Sequence, residues 1–206
     1  MKRLFIFIFL LVAVIGCKAD NGTSQYEVLN DSIVSLMQFG TMRNDTALLE
    51  KALSLSETLL KMSNTKFEKQ LCYRNRAMIL NYIGRYEEAM QNTEEYMLCL
   101  PEDNPERLIY MGIKSKKAKK ANEADAYFTR AIEVCEQFKN EKYLGTVFTY
   151  RFQAIYLRDG EEKAKAYLHG ELRKHPKDDI LLYYRDNFKN IISEYDAAIN
   201  RLMNIA

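Results

Sequence analysis

The feature that most constrains this chain is a joint formed by Gly84, Arg85, Tyr86, Glu87, Glu88 and Ala89. A helical pattern from residue 71 to 83 runs into it, and another leaves it at residue 87 and stops at Pro101. A glycine supplies the positive φ that ends one helix. Acidic residues in the next first turn favour the positive end of the macrodipole. A small alanine then lets the second helix lie close on the first. The unit is a helical hairpin of about 34 residues, and one such hairpin cannot bury its own apolar face. It requires neighbours.

Alanines in the same setting recur downstream. Ala124 is followed by Phe128 and Ala131, Ala164 by Leu168, and Ala198 by Leu202, at successive spacings of 35, 40 and 34 residues from Ala89. Twelve residues before each stand Ala77, Gly112, Phe152 and Asp186, of which the first two are small. Tyr73, Ala77, Leu80, Gly84, Tyr86, Ala89 and Pro101 together resemble the tetratricopeptide repeat, whose unit places aromatic, small, aromatic, alanine and proline residues at these offsets. The resemblance continues over residues 105–138, 145–178 and from 179. A weaker unit covers 26–63, where Asn44 or Asp45 caps a helix with Leu48, Leu49, Ala52, Leu55 and Leu59. Arg76 and Arg151 depart from the pattern, since the motif usually has leucine there, and the 40-residue spacing implies a longer link near residues 140–144. The expected fold is all-α, an α-solenoid of four to five stacked antiparallel hairpins filling residues 26–206. Few glycines and prolines and abundant Leu, Ala, Glu and Lys agree with it.

The amino terminus reads differently. Lys2 and Arg3 precede an apolar run from residue 4 to 15, too short to span a bilayer as a stable helix. Val14, Ile15, Gly16 and Cys17 then resemble the bacterial lipobox. That resemblance implies a signal peptide over 1–16, cleavage before Cys17 and fatty acylation of Cys17. Residues 17–25 are small and polar and read as a flexible tether. Lys18 after the cysteine favours the outer membrane of a bacterial envelope. With residues 1–16 set aside, Lys2 and Arg3 leave and the chain carries 28 bases and 28 acids, so general nucleic-acid binding is not suggested.

Cys72, Cys99 and Cys135 remain, an odd number with no metal-site spacing. Burial as small apolar residues is one expectation. A staple between Cys72 and Cys99, at adjacent ends of one hairpin, is the other. His169 and His175 have no partner at ligand spacing, and no phosphate loop or nucleophile elbow occurs. No catalytic residue, metal, cofactor or small-molecule substrate is expected.

The tetratricopeptide resemblance implies a concave groove, lined by the first helix of each hairpin, that holds a peptide or a partner helix. Its positions fall on Arg74, Met78, Asn81 and Tyr82, on Ile109, Ile113, Lys116 and Lys117, on Thr149, Gln153 and Tyr156, and on Tyr183 and Asn187. Met78 replaces the asparagine of the chaperone-type carboxylate clamp, so that clamp is not implied. The lysines at 114, 116, 117, 119 and 120 form the one strong charge cluster, read either as an anion-attracting patch or as a solvated helix end. The function implied is a membrane-anchored protein-interaction scaffold; the alternative is an accessory subunit of an outer-membrane assembly machine for β-barrels, pili or secretins.

Overall fold

The computed structural model describes residues 24–138 and 144–204. Ten helices and no strand occur among the described residues. None of these helices is long and apolar enough to cross a membrane. The signal segment, Cys17 and the link at 140–143 lie outside the described residues. The chain divides into two compact units, one ending at Pro101 and the other running from Glu102 to Asn204.

The first unit contains α1 (Gln25–Arg43), α2 (Thr46–Met62), α3 (Lys66–Tyr82) and α4 (Tyr86–Cys99). Helix α1 begins at Gln25, inside the segment read as tether, because Ser24 and Glu27 form a reciprocal capping box. Asp45 caps α2 by accepting from the amides of Ala47 and Leu48. Thr65 and Glu68 cap α3 with a second box. Consecutive helices pack on each other, and α1 also touches α3. Ile33, Leu49, Ala52, Leu59, Cys72, Ile79, Leu80 and Ala89 form the core.

The second unit contains α5 (Pro105–Lys117), α6 (Ala121–Gln137), α7 (Leu144–Asp159), α8 (Glu161–Lys174), α9 (Asp179–Asp186) and α10 (Phe188–Asn204). Asn104 and Asp178 cap α5 and α9. Pro105 occupies the first turn of α5, where its missing N–H costs nothing. Here too each helix packs on the next, and α5 reaches α7. The core is aromatic: Phe148 and Phe152 each meet Tyr184 edge-on with ring centroids 5.0 Å apart.

The joints repeat one geometry. Gly84 has φ +82°, and Arg85 N–H closes the turn on Leu80 C=O at 2.9 Å. The same bond runs from Asp45 to Gly40 and from Lys120 to Ser115. In those two turns the left-handed position is held by Asn44 and Lys119, with φ of 54° and 60°. Asparagine tolerates that region, whereas lysine is strained there. Ala89, Ala124 and Ala164 are buried at the packed face of each second helix, as their spacing suggested.

The last segment departs from expectation. The stretch from Glu194 to Ala198, read as the start of a second helix, lies in the middle of α10, and Ala198 is only half-buried. The break falls earlier, at Asn187, whose backbone N–H and side-chain amide both donate to Tyr183 C=O and end α9 after eight residues.

Two substitutions test the helix contacts. A Cβ on Gly112 would sit 2.4 Å from the Phe128 ring, which is fully buried and has nowhere to move. Gly112→Ala is expected to destabilise the chain by about 1–3 kcal/mol in denaturant titration, despite the better helix propensity of alanine. Lys119→Gly relieves the strained φ and is expected to raise stability by up to about 1 kcal/mol in the same titration.

Candidate functional site

The residues assigned to a partner groove separate into three sets. Ile109 and Ile113 are core residues, 4% and 8% exposed, packed with Phe128, Ala131 and their neighbours. They are withdrawn from the partner-contacting set, because α5 rotates its apolar side toward α6 and α7 and both isoleucines lie on that side.

A second set is engaged inside the second unit. Thr149 Oγ donates to Gly145 C=O at 2.9 Å. Tyr156 donates its hydroxyl to Asp196 Oδ1 at 2.5 Å, and its ring lies 6.1 Å from that of Tyr195. Phe152, one turn earlier, meets Phe188 and Tyr195. Helix α10 therefore covers the α7 face assigned to a partner. Burial, with the Asp196 carboxylate beside it, holds the Tyr156 phenol well above the ordinary tyrosine range. Asn187 serves as a helix cap, while Tyr183 stays exposed and Gln153 half-buried. Lys116 Nζ reaches across to Leu157 C=O at 3.1 Å, near the carboxyl end of α7. Lys117 is exposed at the end of α5.

The lysine cluster thus has structural work at a helix end. Lys114 lies over the Tyr110 ring at 5.8 Å, and Lys120 pairs with Glu123 at 3.1 Å. Lysines near a helix carboxyl terminus complement its dipole.

The third set, on α3, keeps its chemistry available. Arg74, Met78 and Asn81 are half-buried and Tyr82 is 50% exposed. Arg74 Nε is buried and has no hydrogen-bond partner among the described residues. Exposed large apolar side chains gather in the same unit. Val28, Phe39, Met42, Phe67, Tyr82, Tyr86 and Leu98 belong to it, against Phe138 and Tyr183 in the other. The Tyr26 hydroxyl donates to Glu68 C=O at 3.0 Å, which joins the starts of α1 and α3. Phe39 and Met42 lie near the carboxyl end of α1 and Tyr82 at that of α3, with Val28 and Phe67 near the amino ends of the same helices.

Each of the two arginines that broke the sequence pattern joins helices within its own unit. Arg76 on α3 donates from Nε to Asn92 Oδ1 on α4 and from a terminal nitrogen to Ser56 Oγ on α2, both at 3.0 Å. Arg151 on α7 pairs with Glu136 on α6 and lies over the Tyr167 ring on α8 at 4.8 Å. Each arginine ties the preceding helix to the following one, and Asn92 and Tyr167 each stand 16 residues beyond their arginine. A polar residue at an expected leucine position was the sequence signal.

Around Arg151 a cleft of about 160 Å³ opens between α6, α7 and α8, lined by Phe138, Tyr167, Glu171 and Lys174 among others. Arg151 pairs with Glu136 and Lys174 with Glu171, while Arg151 Nε, like Arg74 Nε, is buried without a hydrogen-bond partner among the described residues. No group of three or more metal-ligating side chains occurs among the described residues. Comparison of the chain with protein-family models, with curated proteins and with solved structures returns no match.

Cys72, Cys99 and Cys135 are free. Cys72 donates its thiol to Ser56 C=O on α2 at 3.2 Å, and the staple to Cys99 is not formed in this structure. Burial pushes the Cys72 thiol up to about 11 and the Cys135 thiol up to about 12, from an ordinary 9.0, with Arg76 and Arg151 partly opposing. Both are neutral thiols at pH 7. Their folded values exceed the unfolded ones, so the stability they contribute is complete below about pH 9 and is lost as pH rises toward about 11 for Cys72 and about 12 for Cys135. The denaturation midpoint is expected to fall across that window. In the native chain near pH 8, labelling with a thiol reagent is expected at half-exposed Cys99 well before Cys72 or Cys135. Equal labelling of all three would refute the burial argument.

Proposed function

We propose that this chain is a lipid-anchored scaffold of the bacterial cell envelope, built from tetratricopeptide-like hairpins, that holds a peptide or partner helix against α3. The observation that carries this reading is Arg74: a guanidinium whose Nε is buried without a hydrogen-bond partner among the described residues, in the same helical row as Met78 and Tyr82. A buried donor left unsatisfied is costly, and an acceptor brought by a ligand removes that cost. A carboxylate or backbone carbonyl supplies the acceptor. Met78 and Tyr82 supply adaptable and aromatic apolar contact beside it, the mixture that lets a surface hydrogen-bond a backbone while burying a few anchors.

The repeat reading draws support from the recurring joint, the buried alanines at their expected spacing and the packing of consecutive helices. Contacts between α1 and α3 and between α5 and α7 are the first-helix contacts that stacked hairpins make. The anchor rests on the residues from Val14 to Cys17 alone. The chemistry favours binding over catalysis, because the available side chains are donors and apolar surfaces and lack a poised nucleophile or base.

A photo-crosslinking residue at Tyr82, compared with one at exposed Glu133, tests the reading in intact cells. A defined adduct at position 82 and none at 133 is expected. Arg74→Ala and Tyr82→Ala are each expected to reduce the partner's affinity about ten-fold or more, with helicity unchanged. Undiminished binding by both variants would remove α3 as the binding surface. A single stoichiometric barrel or secretin adduct would identify the chain as a subunit of an assembly machine.

A further inference from the structure

We infer that the segment held on α3 is an acidic peptide, which sets a carboxylate against Arg74 and an apolar side chain against Met78 and Tyr82. This rests on α3 being the binding surface proposed above and names the chemistry of what it binds. Half-buried arginines stand at 74, 76, 107, 151 and 158 among the described residues. Arg76 has Glu57 beside it, Arg107 has Glu102, Arg151 has Glu136 and Arg158 has Asp159. Arg74 alone of these has no carboxylate among the described residues, and its Nε is buried without a hydrogen-bond partner there. A half-buried guanidinium without a counter-charge is costly. A ligand carboxylate removes that cost more fully than a backbone carbonyl, because it brings charge and two coplanar oxygens.

The surroundings of Arg74 have the same bias. Lys66, Gln70, Arg74, Met78 and Tyr82 follow one another at intervals of four and form one ridge along α3. Lys66 and Tyr82 are exposed and the three between them are half-buried. Arg76 points to α2 and α4, so Arg74, two residues earlier, stands about 160° around the helix, turned away from both. No acid stands on the ridge. The sole acid of α3 is Glu68, whose carboxylate is engaged in the cap, accepting from the amides of Asn64 and Thr65 at 2.7 and 2.9 Å. Against it the helix carries Lys66, Lys69, Arg74 and Arg76.

The ridge is therefore cationic toward the amino end of α3 and apolar toward its carboxyl end. From residue 66 to residue 82 it is about 24 Å long, the reach of about seven extended residues. Its apolar half has no use for a bare anion. The balance of acids and bases after residue 16 supplies no long-range field for a polyanion. An acidic segment with one apolar anchor matches both halves.

The test uses the purified full chain and end-blocked peptides of about seven residues, with leucine first, glutamate fourth and seventh, and glycine or serine elsewhere. Both chain directions are used. Near 20 mM salt, the glutamate peptide in one direction is expected to bind at least about ten-fold more tightly than its glutamine counterpart, with the advantage shrinking by about 500 mM. Arg74→Gln is expected to abolish the preference for glutamate, and Tyr82→Ala to weaken both peptides alike. The Arg74→Gln chain is expected to melt no lower than the parent, since it loses an uncompensated charge, which separates lost recognition from lost fold. Equal binding of the two peptides, binding of neither, or an undiminished preference in Arg74→Gln would each overturn the inference. So would inorganic phosphate competing as well as the glutamate peptide, which would mark a simple anion site. If the inference fails while the crosslink at position 82 still forms in cells, α3 remains the binding surface for a ligand of other chemistry; if both fail, the surface itself is lost.

Discussion

Close approach of neighbouring helices is the constraint on which both units depend. At Gly112 the backbone of α5 comes so near α6 that a single methyl group would meet the Phe128 ring. At Gly40 the same holds against Leu49 on α2. A short turn closed by one backbone hydrogen bond brings each pair to this distance, and buried alanines on the second helices keep it. Helices that approach this closely form a thin layer, and a thin layer exposes its other side. The next helix must cover that side, which is why α2 packs on α3 and α6 on α7.

Arg76 and Arg151 show how the layers are held in register. Both occupy positions where leucine would have packed without direction. A guanidinium demands partners in fixed places, and each finds them on the helix before and the helix after. Arg76 takes Ser56 and Asn92; Arg151 takes Glu136 and Tyr167. A largely buried charge is a poor source of net stability but a strong source of orientation, since any slip leaves it unpaired. Apolar packing supplies cohesion in these units, and the arginines select one arrangement of it.

The candidate site narrows for the same reason. Side chains on the first helix of a hairpin face a partner only where nothing of the chain already covers them. In the second unit α5 turns Ile109 and Ile113 inward, and α10 lies across Tyr156. In the first unit α3 retains Arg74 with no hydrogen bond at Nε among the described residues, with Met78 and Tyr82 along the same row.

Much of the architecture was legible in the residues. Gly84 specified its turn because glycine adopts a left-handed φ at no steric cost, and Asp45 marked a helix start because its short side-chain oxygen reaches free amides. Alanine spacing marked the packed faces. These are local signals, carried by a residue and its near neighbours in the chain. The sequence alone also set the odd cysteine count and the near balance of charge. Tertiary structure decided the rest. The thiol of Cys72 bonds to Ser56 and makes no disulfide with Cys99, a choice of partner that spacing does not encode. The break at Asn187 sent α10 over Tyr156, and the rotation of α5 consumed Ile109 and Ile113. Periodicity tells which residues share a face of a helix; which neighbour covers that face is settled only when the helices pack.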